Sequence, residues 1–118
     1  MHQLSGPPSP ELARKLAAFE EQFTYPLGPG RHFRITHGDD YPRFFRAMGE
    51  TAVFVVERDE RVTATLAVVM RRLTLPDGGS RNVAYFGDLK IWSSRMAGIA
   101  WSAPVSWVAL SMRGTRAA

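Results

Sequence analysis

Between Pro10 and Phe23 the apolar residues Leu12, Leu16, Phe19 and Phe23 recur at spacings of three or four, which predicts a helix with one apolar face. Pro10 stands near its start and Glu11 in its first turn, where a fixed φ and a negative charge both suit a helix N-terminus. A stripe of this kind is a core-packing pattern. The residues before it, Met1 to Pro10, are polar and proline-rich and read as a loose leader. After it, TYPLGPG over Thr24 to Gly30 is a turn-rich linker. Arg31 to His37 then alternates, with Phe33 and Ile35 on one side and Arg34 and Thr36 on the other, so a short strand is expected. Asp39 and Asp40 are placed to cap a second helix over 39–48, with Pro42 in its first turn.

From Thr51 the period becomes that of strands. TAVFVVERD sets Ala52, Phe54 and Val56 on one face and Val53 and Val55 on the other, and a strand apolar on both faces belongs inside a sheet. Arg58-Asp59-Glu60-Arg61 turns the chain, a long strand follows over 62–75, and Pro76-Asp77-Gly78-Gly79 turns it again. The third strand, 82–92, has Gly87 in its middle, a mark of a bulge or of a close backbone approach. Three strands joined by short polar turns predict an antiparallel meander.

Composition narrows the function classes. The chain has 118 residues, 45% hydrophobic and 22% charged, so one folded domain is expected. Having no cysteine, it has no disulfide, thiolate metal site or cysteine nucleophile. The formal charge of +4 comes from 13 arginines and two lysines interspersed with acids. That is the pattern of a solvated surface, and no nucleic-acid partner is expected. The N-terminus lacks a basic region followed by an apolar one, so no export signal is read and a cytoplasmic location is expected. Met96 to Met112 carries no charge, but its 17 residues are short of the roughly 20 a membrane span requires. A buried helix or an interface is expected there, with no membrane partner. His2, His32 and His37 have no partners at metal-ligand spacing, so no metal site is expected.

Directly after the third strand comes Ser93-Ser94-Arg95-Met96-Ala97-Gly98-Ile99-Ala100, leading into an apolar, helix-like segment. A glycine-containing loop between strand and helix gathers backbone N–H groups at a positive helix terminus, which suits a pyrophosphate as well as it suits a plain connection. Arg95, Gly98 and Ala100 in R-M-A-G-I-A resemble the acyl-CoA signature of the GNAT acyltransferases, a Gln or Arg followed by x-x-Gly-x-Gly or Ala. The order of elements from strand 31–37 through helix 39–48 and the three strands to this loop is similar to the N-terminal half of that fold, over roughly residues 31 to 105.

The resemblance implies an α+β domain, a mixed sheet with an antiparallel meander and flanking helices, preceded by a leader and first helix over 1–30. It implies transfer of an acetyl or other acyl group from acetyl-CoA to an amine. Leu89 and Ile91 would then offer backbone groups to the pantetheine arm, and Arg95, Met96, Ala97, Gly98, Ile99 and Ala100 would hold the pyrophosphate. A carboxylate near the strand would act as general base. Asp88 is the first candidate and Glu57 the second, and each has an alternative reading as half of an ion pair, with Lys90 or a nearby arginine. Tyr41 and Tyr85 are read as packing residues.

The departures from the family pattern carry expectations of their own. The loop is one residue shorter, Ser93 stands where a proline is common, and Pro104 falls inside the helix expected after the loop, where proline costs about 3 kcal/mol. The sequence ends near Ala118 without the strand that follows in the family, so the domain is expected to be truncated at its C-terminal side. The apolar residues Trp101, Val105, Trp107, Val108 and Leu110 would then be short of neighbours, and association with a second copy or a partner chain is expected through them or through the free edge of the third strand. The rival function is accordingly a non-catalytic half-domain that acts by association alone.

Overall fold

The computed structural model describes residues 1–92 and 102–116. Its nine elements run β1 (His2–Leu4), α1 (Pro10–Glu20), β2 (Tyr25–Pro26), β3 (His32–Phe33), α2 (Arg43–Arg46), β4 (Glu50–Arg58), β5 (Arg61–Thr74), β6 (Ser80–Ile91) and α3 (Ser102–Arg116). The architecture is α+β, with a four-stranded sheet in the order β1-β4-β5-β6 and every pairing in it antiparallel. The three long strands form the expected meander, within two residues of the expected bounds.

The sheet is apolar on both faces because helices cover both. On one face Val53, Val55, Val62, Ala67 and Val69 meet Leu12, Leu16 and Phe19 of α1 with Tyr41 and Phe45. On the other, Ala52, Phe54, Leu66 and Val68 meet Ala103, Trp107 and Val108 of α3. Burial of both sets of alternate side chains places β4 and β5 in the interior, as the doubly apolar pattern of β4 requires.

Four expectations are corrected. The leader is not loose: His2, Gln3 and Leu4 pair with Val55, Phe54 and Val53, so β4 gains its second neighbour from a stretch too short and polar to show a strand period. The strand expected over 31–37 shrinks to His32–Phe33, paired with Tyr25–Pro26 away from the main sheet, and both Phe33 and Ile35 stay exposed. The helix expected over 39–48 keeps a single turn, Arg43–Arg46, with Pro42 as its N-cap residue. It ends at Arg46 with Ala47 as its C-cap residue, and Gly49 beyond it lies where a Cβ would collide with the carbonyl oxygen of Met70. Pro104 does no damage, because in α3 as described from Ser102 it lies in the first turn, where backbone N–H groups have no intrahelical partner.

The N-terminal helix follows expectation more closely. Ser9 is its N-cap and accepts a hydrogen bond from the Leu12 N–H at 3.2 Å, and Pro10 occupies the first turn. It ends at Glu20, three residues before Phe23.

Candidate functional site

The site begins with a register shift in β6. Ala67 pairs with Gly87 and Thr65 with Lys90, so Leu66 alone faces two residues, Asp88 and Leu89. This is a β-bulge, which re-aims the side chains around it. At Gly87, next to the bulge, the neighbour is a side chain and not another backbone: the ring of Tyr85 lies over it, 2.6 Å from where a Cβ would stand. Asp88 itself has φ 52°, a left-handed conformation that costs a non-glycine residue about 1 kcal/mol, less for aspartate than for most. The Thr65 hydroxyl donates to the Asp88 carbonyl at 3.3 Å and helps hold this turn of the chain.

The Asp88 carboxylate meets Tyr41, two residues before α2. The Tyr41 phenol donates to its Oδ2 at 2.6 Å, and the Lys90 ammonium lies 3.0 Å from its Oδ1. Tyr41 is buried, and the Asp88 and Lys90 side chains are 13% and 7% exposed. Charges this withdrawn from water persist only when paired, so acid and base hold one another in place. Burial, and then the charge of Asp88, push the Tyr41 phenol far above its ordinary value of 10.0, so it remains a hydrogen-bond donor. The ion pair with Lys90 is the alternative read for Asp88 from sequence. It is present, and the tyrosine bond is present with it.

Behind Tyr41 lies a second polar pair. Glu20, at the end of α1, accepts the His37 backbone N–H at 3.1 Å, and His37 Nδ1 is 3.4 Å from the same carboxylate without a hydrogen bond. The imidazole stacks on Tyr41 with ring centres 4.2 Å apart and on Phe45 at 5.6 Å. Around these groups opens a cleft of about 810 Å³, walled by Ile35, Phe44, Phe45, Met48 and Tyr85, with His37 and Asp88 among its polar residues and Arg43 at its side.

Glu57, the second candidate base, stands elsewhere. It pairs with Val62, four residues along β5 from the bulge, and its carboxylate lies 2.5 Å from Lys15 and 3.3 Å from His2. Lys15, and after it His2, hold the Glu57 carboxyl below the usual carboxylate range. Lys15 also reaches Glu60 and Glu11 at 3.0 and 3.4 Å, so this cluster ties α1 and β1 to the β4–β5 turn.

Of the residues expected at a cosubstrate, Leu89 is the second bulge residue and half exposed, while Ile91 packs against Val56 and Ala64. Arg95, Met96, Ala97, Gly98, Ile99 and Ala100 lie outside the described residues. Sequence reasoning missed Tyr41 as a partner of Asp88 and passed over His37 and Glu20. These residues lie 47 and 17 positions from the groups they meet, so no local spacing signals them.

No family model matches the chain, and neither a curated protein nor a solved structure matches it. Among the described residues no group of three or more His, Asp or Glu side chains is arranged to hold a metal, and no helix is long and apolar enough to cross a membrane.

Proposed function

We propose that this chain is a GNAT-type N-acyltransferase domain that moves an acetyl or related acyl group from acetyl-CoA to an amine. The observation that carries the reading is the bulge at Asp88–Leu89, which opens a meander strand beside a carboxylate, directly before the Arg95-to-Ala100 motif. The order of elements supports it, with helices α1 and α2 on one face of the sheet and α3 on the other.

In this reading a neutral amine attacks the thioester carbonyl, the C–N bond forms and the C–S bond breaks. The amine's proton passes to Asp88, directly or through water, and the leaving thiolate takes a proton from solvent. Backbone dipoles freed by the bulge face the developing oxyanion. Lys90 and Tyr41 position the Asp88 carboxylate and do not touch the reacting atoms. Leu89 and Ile91 would present backbone to the pantetheine arm. Cytoplasmic residence accords with this chemistry.

The rival reading, a non-catalytic module acting by association, draws on the exposed apolar side chains Tyr85, Phe86 and Leu89 of β6 and Trp92 just after it, beside an edge with no partner strand among the described residues. Calorimetric titration with acetyl-CoA separates the two. Micromolar binding that Gly98→Trp weakens supports acyl transfer, and no heat at millimolar acetyl-CoA supports the rival.

A further inference from the structure

The cleft over Asp88 has two chemistries in one cavity. Ile35, Phe44, Phe45, Met48 and Tyr85 make its walls apolar, and Phe44 and Tyr85 are 65% and 48% exposed, a cost a folded chain accepts more readily where a ligand covers them. Two ionic groups of opposite sign interrupt those walls. Asp88 is anchored by Tyr41 and Lys90, but a carboxylate offers about four lone-pair sites, so two remain for a ligand N–H. Among the described residues Arg43 has no carboxylate within 4 Å: the nearby Asp40 carboxylate is held by a two-pronged contact from Arg46 and feels the Arg43 charge only at longer range. A guanidinium without a close carboxylate partner, beside an apolar wall, is suited to a planar acidic group.

We infer that the cleft binds a small amine that also carries a carboxylate and an aromatic or branched aliphatic body, the pattern of an apolar amino acid. The amine meets Asp88, the carboxylate meets Arg43, and the apolar body lies against Phe44 and Tyr85. That this molecule is the acyl acceptor rests on the acyltransferase reading; its binding does not. The neighbouring Lys90 ammonium shapes the choice further. It already balances the Asp88 charge, so the site gains little from a polycation and discriminates against extended polyamines.

The test is calorimetric titration of the full chain with L-phenylalanine, phenethylamine, 3-phenylpropanoate and spermidine, without acetyl-CoA. L-phenylalanine is expected to bind most tightly. Losing the carboxylate or the amine is expected to weaken binding about tenfold each, the size of one charge-assisted hydrogen-bonded contact. Arg43→Gln should erase the difference between phenylalanine and phenethylamine while leaving phenethylamine binding unchanged. Phe44→Ser, at a largely exposed side chain that meets the core only edge-on at Phe45, should weaken both, with thermal melts confirming that each variant is folded. Equal binding of phenylalanine and phenethylamine, a preference for spermidine, an Arg43→Gln ratio like the parent's, or no heat from any probe would overturn the inference. A parallel titration with acetyl-CoA keeps the two claims apart. Acetyl-CoA binding without amino acid binding sinks this inference and leaves the acyltransferase reading standing, and the reverse sinks the acyltransferase reading and leaves the binding inference standing.

Discussion

Acidic residues take the left-handed conformation at two places in this sheet, and for different reasons. Asp59 and Glu60, at φ 50° and 65°, are the two central residues of the hairpin between β4 and β5, where Arg58 pairs directly with Arg61. A two-residue hairpin loop of this twist demands positive φ at both positions, so the turn itself accounts for them. Asp88, at φ 52°, lies within a strand, where a regular ladder would keep it extended; it is the first residue of the bulge, a position that can take the left-handed conformation but favours glycine. Its conformation is maintained by Thr65, Tyr41 and Lys90, and it aims a carboxylate into a cleft. The one is the geometry of a connection. The other is backbone strain held by side chains around a site, where strained residues tend to gather.

Removing the acid at each place should separate the two cases. Asp88→Ala relieves no ladder constraint and leaves the Lys90 ammonium buried without its counter-charge, so we expect a loss of about 3 to 5 kcal/mol in urea unfolding. Asp88→Asn keeps an acceptor for Tyr41 and should lose less. A cost under 1 kcal/mol for the alanine variant would mean that the cluster does not hold the bulge.

The second-largest effect is expected on the opposite face. Trp107 lies against the Ala52, Phe54, Leu66 and Val68 patch, and Trp107→Ala should cost about 2 to 3 kcal/mol by deleting a partly buried aromatic ring. Trp107→Glu bears on association as well. Because Val105 and Leu110 remain exposed, sedimentation at several concentrations should show self-association through this helix or the β6 edge that the substitution alters. A monomer indifferent to it would confine the role of α3 to its own sheet.

At the hairpin the sign reverses. Glu60→Gly supplies the residue that positive φ favours and should stabilise by about 0.5 to 1 kcal/mol, less the contact with Lys15. Destabilisation would show that the ion cluster outweighs the turn.

The smallest effects are read by pH. Tyr41 has its pKa raised on folding, so its contribution is fully present below the ordinary phenol value of 10.0 and is lost as the pH rises beyond it. Followed by phenolate absorbance, Tyr41 should ionise only as the chain unfolds in alkali. Glu57 is shifted the other way, so its contribution is present above its ordinary value of 4.5 and fades as the pH falls below that. Glu57→Gln should flatten the acid limb of the stability profile and leave the alkaline limb unchanged.

The same contrast explains what could be read in advance. The hairpin and the three long strands were legible because a strand period and a polar turn are local signals, and the apolar doubling of β4 announced covered faces. Gly87 marked the neighbourhood of the bulge, though the extra residue is the pair that follows it. The strand His2–Leu4 was not legible, since three residues carry no period and their partner lies some fifty positions away. Nor was the length of the second helix, which keeps one turn, Arg43–Arg46, of the span expected over 39–48. Within the site the Asp88–Lys90 pair follows from spacing along a strand. Tyr41, His37 and Glu20 reach it through tertiary packing alone.

Thiol release from acetyl-CoA in the presence of L-phenylalanine, for the parent chain and for Asp88→Asn, tests the central claim most directly. Turnover by the parent, with acetyl-CoA binding retained and turnover reduced at least about a hundredfold in the variant, is the result predicted for a general base. Equal turnover by the two, or a parent that neither binds nor cleaves acetyl-CoA, would contradict it.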